Sequence, residues 1–303
     1  MKYWILLSRI PFLSVAILPY FLGALLAQRV TGRFDWLVFL LGLAGCVLIQ
    51  LSAHYNGEIY DLKEDSLSAV SGKSPFSGGS QVILRKLIPE IKVKRLSCLL
   101  VLLALAIGAF LQFYFKTGGW TLFLGVSGII AGVFYSKPPL RWVSRGLGEF
   151  FIAYSFGFLT VTCGFYIQAS RFDNLALLVS LPAAFTVLNI ILINEYPDYE
   201  ADRATGKNNL LVRLGRQRGS FVYVFFVVCS GVSSFLVLWR GLSLAGLFLY
   251  LPVFITAVIL ASLMLKGAYK DRLLLQRMCA ATILVNLGTS LSFILGVWLV
   301  KTG

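Results

Sequence analysis

The sequence predicts an all-α, polytopic membrane protein. Of 303 residues, 58% are hydrophobic and only 13% charged, and mean hydropathy is +0.83. Apolar stretches long enough to cross a hydrocarbon core, about 20 residues as helix, recur along the whole chain. This composition excludes an ordinary soluble domain and a disordered chain.

Nine spans are expected. The first, 10–28, follows a basic start. Pro11 and Pro19 interrupt it and no small-x-small cleavage site follows, so it reads as a span rather than a cleaved leader. After the second, 35–55, comes the longest polar segment, 56–96. In it, Ser74 to Ser80 (S-P-F-S-G-G-S) marks a turn, and Gln81 to Pro89 reads as a short amphipathic helix over a cavity mouth. Spans 97–115 and 120–136 lead to Tyr135-Ser136-Lys137-Pro138-Pro139-Leu140-Arg141, where two cations flank a Pro-Pro turn. Spans 148–168 and 174–193 lead to the second polar segment, 194–218, followed by spans 219–239, 243–266 and 278–300. The two polar segments are four spans apart, so both face the same side. One domain, 1–303, is expected, as two parallel four-helix halves (about 1–147 and 148–266) plus a ninth helix, around a lipid-open cavity.

Orientation follows from Lys and Arg in the loops. Only six of the 27, Arg29, Arg33, Lys116, Arg171, Arg240 and Lys301, fall on one side. The protein is therefore expected in the cell membrane as a multi-pass protein, with the N-terminus and both acidic segments cytoplasmic and the C-terminus outside. The net charge of +14 reads as topology and anionic-lipid contact, with no nucleic-acid partner, because the cations are scattered without a recognition module. Cys46, Cys98, Cys163, Cys229 and Cys279 are far apart in or beside the spans and read as small apolar side chains.

The chemistry concentrates in two windows, Gly57-Glu58-Ile59-Tyr60-Asp61-Leu62-Lys63-Glu64-Asp65 and Asn194-Glu195-Tyr196-Pro197-Asp198-Tyr199-Glu200-Ala201-Asp202, which hold eight of the 13 acidic residues. Each repeats Glu, Asp three later and Asp four later again. In a helix the two aspartates share a face. Like charges crowded at a membrane surface need a cation to compensate them, which points to hard divalent ions and an anionic substrate. Asp61, Asp65, Asp198 and Asp202 are the candidate metal ligands and catalytic residues, against a bland reading as solvated helix ends. Glu58 and Glu195 either join the metal or pair with a loop cation.

Lys73, Lys137, Arg141, Arg203 and Lys207, with Arg9 ahead of the first span, lie on the side of the carboxylates and are candidates for binding diphosphate, or serve topology alone. His54, the only histidine, stands four residues before Glu58 and on the helical face of Asp61. It either orients an acceptor or takes its proton, or is a polar part of the wall. Tyr135 and Tyr60 either approach the reacting carbon or pack.

A polyprenyl diphosphate suits this set. Its tail belongs in the bilayer, and two Mg²⁺ ions bridging its head would stabilise the departing diphosphate. A cavity lined by aromatic side chains would shelter the allylic cation until a ring carbon of a small aromatic acceptor attacks it.

These residues resemble the UbiA-type intramembrane aromatic prenyltransferases. N-E-Y-P-D-Y-E-A-D from Asn194 is similar to that family's Asn/Asp-rich motif. The following D-R-A-T-G-K-N-N-L-L-V-R-L-G, the Y-S-K-P-P-L-R segment running through R-G-L-G-E to Glu149, the S-P-F-S-G-G-S turn and Arg9-Ile10-Pro11-Phe12 look most like the menaquinone branch. The resemblance implies a 1,4-dihydroxy-2-naphthoate acceptor and adds Asn194 as a metal ligand. One departure stands out: the family has Asn four residues before the first Asp, and here that position is Gly57, with Asn56 adjacent. Asn56 either contributes through a backbone shift, or a water replaces it.

Two alternatives stay open. The same chemistry could serve 4-hydroxybenzoate, geranylgeranylglyceryl phosphate or a tetrapyrrole. A cation-coupled transporter would also carry intramembrane carboxylates, but it favours charges at the midplane, where this sequence has almost none.

Overall fold

Backbone amides in hydrocarbon have no water to bond, so apolar stretches close their hydrogen bonds internally as helices. The computed structural model describes residues 2–72, 76–239 and 244–299, which form helices and connecting turns without a strand. In chain order the helices are α1 (Lys2–Ser8), α2 (Ser14–Thr31), α3 (Trp36–Tyr60), α4 (Leu62–Gly72), α5 (Glu90–Phe113), α6 (Thr121–Ser136), α7 (Gly148–Ala153), α8 (Thr160–Ala169), α9 (Asn174–Glu195), α10 (Tyr199–Thr205), α11 (Leu210–Leu214), α12 (Arg216–Trp239), α13 (Leu244–Leu265) and α14 (Arg272–Trp298).

Among the described residues eight helical segments are long and apolar enough to span a membrane. The ninth expected span is α6, a helix of only 16 residues. It stops at Ser136 because the residue before a proline avoids helical geometry, and Pro138 and Pro139 follow.

Two spans are irregular. The first is broken at Arg9, which adopts left-handed geometry (φ 45°, ψ 48°), and a 3₁₀ turn over Ile10–Leu13 joins α1 to α2. In the fifth, a π-helical turn over Tyr154–Leu159 separates α7 from α8. The segment 81–89 corrects the sequence reading: it is a series of turns, not an amphipathic helix. Gln81 (φ 63°) and Lys86 (φ 55°) are both left-handed, which interrupts a right-handed ladder. Its apolar residues are still used, since Val82, Ile83 and Ile88 are buried with Leu7, Tyr55 and Ile59.

Without a hydrophobic drive between helices in lipid, packing depends on close backbone approach. α2 and α8 show this most clearly. A Cβ on Gly23 would fall 2.0 Å from the Val161 carbonyl oxygen, and one on Gly164 would fall 2.1 Å from that of Tyr20.

The bundle encloses a cavity of about 340 Å³. On α3 the lining residues are Gly42, Gly45, Cys46, Ile49, Gln50, Ala53, His54 and Gly57, a single helical face. At 1.5 Å per residue they extend the cavity about 22 Å along the helix. α6 supplies a facing stripe of small residues, Gly125, Gly128, Ala131 and Gly132.

Candidate active site

Both acidic windows sit where a long helix ends and a short one begins. α3 finishes at Tyr60 with Asp61 as its cap, and α9 finishes at Glu195, where Pro197 follows and Asp198 caps α10. The aspartates of each pair stay one turn apart, because Asp65 N–H donates to the Asp61 carbonyl (2.9 Å) and Asp202 N–H to that of Asp198 (2.8 Å). All four line the same end of the cavity, with Asn194, Glu195 and Lys207.

In the first window, Asp61 Oδ2 accepts from Ser136 Oγ (2.8 Å), and Oδ1 faces Arg141 Nη2 at 3.2 Å. The same guanidinium reaches Glu64 Oε1 at 2.8 Å. In the second, Asp202 Oδ2 accepts from Asn209 Nδ2 (2.8 Å) and Oδ1 lies 3.3 Å from Lys207 Nζ. Asp198 Oδ2 accepts from the Gly78 amide (2.9 Å). The Ser77–Ser80 turn therefore lies across both windows. Its Gly79 has φ +61°, and a Cβ there would sit 2.0 Å from Asp65 Oδ2, so only glycine fits.

Burial acts on every charge here, and the neighbouring charges decide whether it prevails. Desolvation, with Glu58 and Asp61 nearby, pushes the Asp65 carboxyl up to about 8. Desolvation raises Asp202 to about 6, with Asp198 and Asp61 adding to it and Lys207 opposing. Burial works against the charge of Lys207, but Asp202 and Asp61 outweigh it and hold the ammonium well above the usual lysine range. Arg141 is likewise disfavoured by burial and held above its ordinary value by Asp61 and Glu64.

The donor set fits a hard cation. Asn194 is 9% exposed and among the described residues its buried Oδ1 has no hydrogen-bond partner, while Asp65 and Asp202 are raised by burial and by neighbouring carboxylates, so added positive charge would be favoured beside them. Among the described residues no three His, Cys, Asp or Glu side chains are grouped to chelate an ion by themselves. Protein carboxylates alone therefore do not complete a coordination sphere here.

Of the other expected residues, Arg9, His54 and Tyr135 line the cavity. Glu58 takes the second of its two expected roles, pairing with a cation: its carboxylate accepts from Arg9 Nη2, Ser80 N–H and Ser80 Oγ, each at 2.6 Å, and so also anchors the 77–80 turn to α3. Asn56 is buried outside the lining, where Gly57 faces the cavity. Arg141 reaches Asp61 from outside the lining. Lys137 and Arg203 are not part of the lining either, and Arg203 is exposed. Lys73 lies outside the described residues. Tyr60 packs against the cluster of Leu7, Tyr55 and Ile59 and its carbonyl accepts from Arg141 Nη2 at 3.3 Å. All five cysteines are free.

Sequence reasoning overlooked Ser136, Glu64, Asn209 and the Gly78 amide. Asn209 was within reach, because a side chain that also caps α11 through Val212 N–H (2.8 Å) is a recognisable signal. The Gly78 amide carries no side-chain signal at all.

The UbiA prenyltransferase family model matches residues 16–278. The chain is 26% identical over 238 residues to the 1,4-dihydroxy-2-naphthoate octaprenyltransferase of Bacillus subtilis, covering 75% of this chain and 74% of that protein. It is 27% identical over 273 residues to the enzyme of that name from Escherichia coli (88% and 86%). To the 2-carboxy-1,4-naphthoquinone phytyltransferase of Synechocystis it is 27% identical over 229 residues (75% and 71%). Among solved structures, the apo UbiA homolog from Aeropyrum pernix superposes with a TM-score of 0.70 at 16% identity, covering 94% of this chain and 96% of that one. The UbiA homolog from Archaeoglobus fulgidus bound to GPP and Mg²⁺ gives 0.63 at 15% identity (96% and 99%).

Proposed function

The chain belongs to the UbiA prenyltransferase family and is an integral-membrane prenyltransferase, and from that premise we propose that it transfers a polyprenyl group from an isoprenyl diphosphate to 1,4-dihydroxy-2-naphthoate in a Mg²⁺-dependent reaction. The observation that carries this reading is one cavity with two unlike ends. Both aspartate pairs converge on one end, and an apolar lining runs about 22 Å away from them along α3. An anionic head and a long apolar tail fit that shape in one orientation only.

Asp61, Asp65, Asn194, Asp198 and Asp202 would hold Mg²⁺, which supplies positive charge to the diphosphate oxygens as the carbon–oxygen bond breaks. Lys207, buried and charged among the aspartates, is placed to meet the oxygens left over, with Arg141 and Arg9 at the border of the same end. The lining of α3 and α6, together with Phe12, Phe151 and Phe156, keeps water from the allylic carbon and offers ring faces to its developing positive charge. Tyr135 stands between the acidic end and the α6 stripe, on the wall nearest the reacting carbon. The relatives named for naphthoate substrates support this acceptor over 4-hydroxybenzoate, geranylgeranylglyceryl phosphate or a tetrapyrrole. The distribution of Lys and Arg supports a cytoplasmic side for the acidic windows and the N-terminus.

The test is product formation by the purified protein in detergent, with geranylgeranyl diphosphate, a panel of aromatic acceptors, and Mg²⁺ or a chelator. Metal-dependent prenylation of 1,4-dihydroxy-2-naphthoate is the expected result. Turnover confined to another acceptor would overturn the substrate assignment while leaving the transfer chemistry in place.

A further inference from the structure

The break in the first span sets up two side chains on α3. In a continuous helix the Ser8 carbonyl would accept from Phe12 N–H. With Arg9 left-handed, Phe12 N–H bonds to the Arg9 carbonyl instead (2.9 Å), and the Ser8 carbonyl faces His54 Nδ1 at 3.0 Å. A carbonyl only accepts, so Nδ1 carries the proton and Nε2 of the neutral ring is an acceptor. Among the described residues the one hydrogen bond of the ring is that of Nδ1, and His54 lines the cavity.

One turn away, Gln50 repeats the arrangement. Its Nε2 donates to the Phe12 carbonyl (2.8 Å), which fixes the amide's orientation and leaves Oε1 as the free atom. Gln50 is 4% exposed, lines the same cavity, and among the described residues its Oε1 has no partner. Arg9, the cation beside this niche, is already paired with Glu58. The niche therefore offers acceptors rather than cations, and the complementary ligand brings hydroxyl donors rather than a carboxylate or phosphate.

We propose that His54 Nε2, supported by Gln50, positions the aromatic acceptor by accepting a hydrogen bond from a ring hydroxyl. The inference rests on the prenyl-transfer reading and specifies its second substrate: a ring bearing hydroxyl groups, held about two to three turns of α3 from Asp61.

The experiment compares wild type, His54→Phe and His54→Gln with geranylgeranyl diphosphate and Mg²⁺, using 1,4-dihydroxy-2-naphthoate and its O-methylated analogues. His54→Phe is expected to raise KM for the dihydroxy acceptor about tenfold or more and to leave KM for the diphosphate unchanged. It should also abolish the wild-type preference for hydroxyl over methoxyl. Gln, which can accept at a similar reach, should restore much of that preference. Because the chain holds a single histidine, ¹⁵N NMR of that imidazole gives a second readout: adding the acceptor without diphosphate should shift the Nε2 resonance. Unchanged acceptor KM and retained hydroxyl discrimination in His54→Phe overturn the proposal, as does equal loss for both substrates. If wild type prenylates no aromatic acceptor, the prenyl-transfer reading falls, and the imidazole spectrum then decides the niche separately. A shift upholds hydroxyl binding there and its absence overturns it.

Discussion

The two acidic windows look like copies in sequence and are built differently. Asp202 is met by Lys207 and Asn209, five and seven residues downstream, so this aspartate finds its partners on one short stretch of chain, while Asp198 takes the Gly78 amide from the distant 77–80 turn. Asp61 is met by Ser136 and Arg141, which arrive from the far end of α6 and the turn beyond it. The second also has Asn194, with an unpartnered oxygen, where the first has Gly57. The second window is assembled partly by its own stretch of chain, the first by side chains that the tertiary fold brings to it. The contrast teaches that equal spacing of carboxylates does not make equal sites.

The largest test of this contrast is Asp198→Ala. Charge placement, not packing, is its role, so turnover should fall by at least about 10²–10³-fold while helix content by circular dichroism stays at the wild-type level. Retained turnover would sink the assignment. Next is Arg141→Ala, which leaves Asp61 and Glu64 facing each other without their shared cation. Arg141 is partly exposed (31%), so the expected loss is modest, about 1–2 kcal/mol in thermal unfolding without metal. Added Mg²⁺ with diphosphate should recover part of it.

Gly57→Asn sharpens the comparison by making the first window resemble the second. A Cβ at Gly57 meets nothing closer than Ser136 Oγ at 3.8 Å and Asp61 Oδ2 at 3.9 Å, so there is room. The Mg²⁺ concentration for half-maximal activity should drop by a few fold, and Asn194→Ala should raise it by about tenfold.

The smallest effect is protonic. Metal binds the carboxylate form, so a carboxyl with a raised value must lose its proton when the cation arrives. Asp65, at about 8, is mostly protonated at pH 7, whereas Asp202, at about 6, is mostly ionised. Apparent metal affinity should therefore increase with pH through the neutral range and level off above about 8. Calorimetry in buffers of different ionisation enthalpy should detect proton release at pH 7 and none at pH 9. Equal release at both values would remove Asp65 from the set.

The fold was legible because apolar length is a local property, and the spans lie close to where composition places them. What failed was the 81–89 helix, where apolar periodicity was overridden by two left-handed residues. At the site, the carboxylates, Lys207, Arg9, His54 and Asn194 could be named from the chain, since each sits inside or at helical spacing from a motif. The pairing of Asp61 with Ser136 and Arg141 could not, because it depends on how α6 meets α3. Nor could the anchoring of the 77–80 turn by Glu58, since its place in the motif left metal binding and cation pairing both open and only the turn's return path brings Ser80 to it.

Arg141 and Lys207 give the carboxylates internal counterions. On the proposed reading this would make the divalent ion a visitor rather than a structural part, so chelation should silence the protein reversibly without unfolding it. Each arriving diphosphate would then draw two internal cations from their partners, and each departing one would let them return.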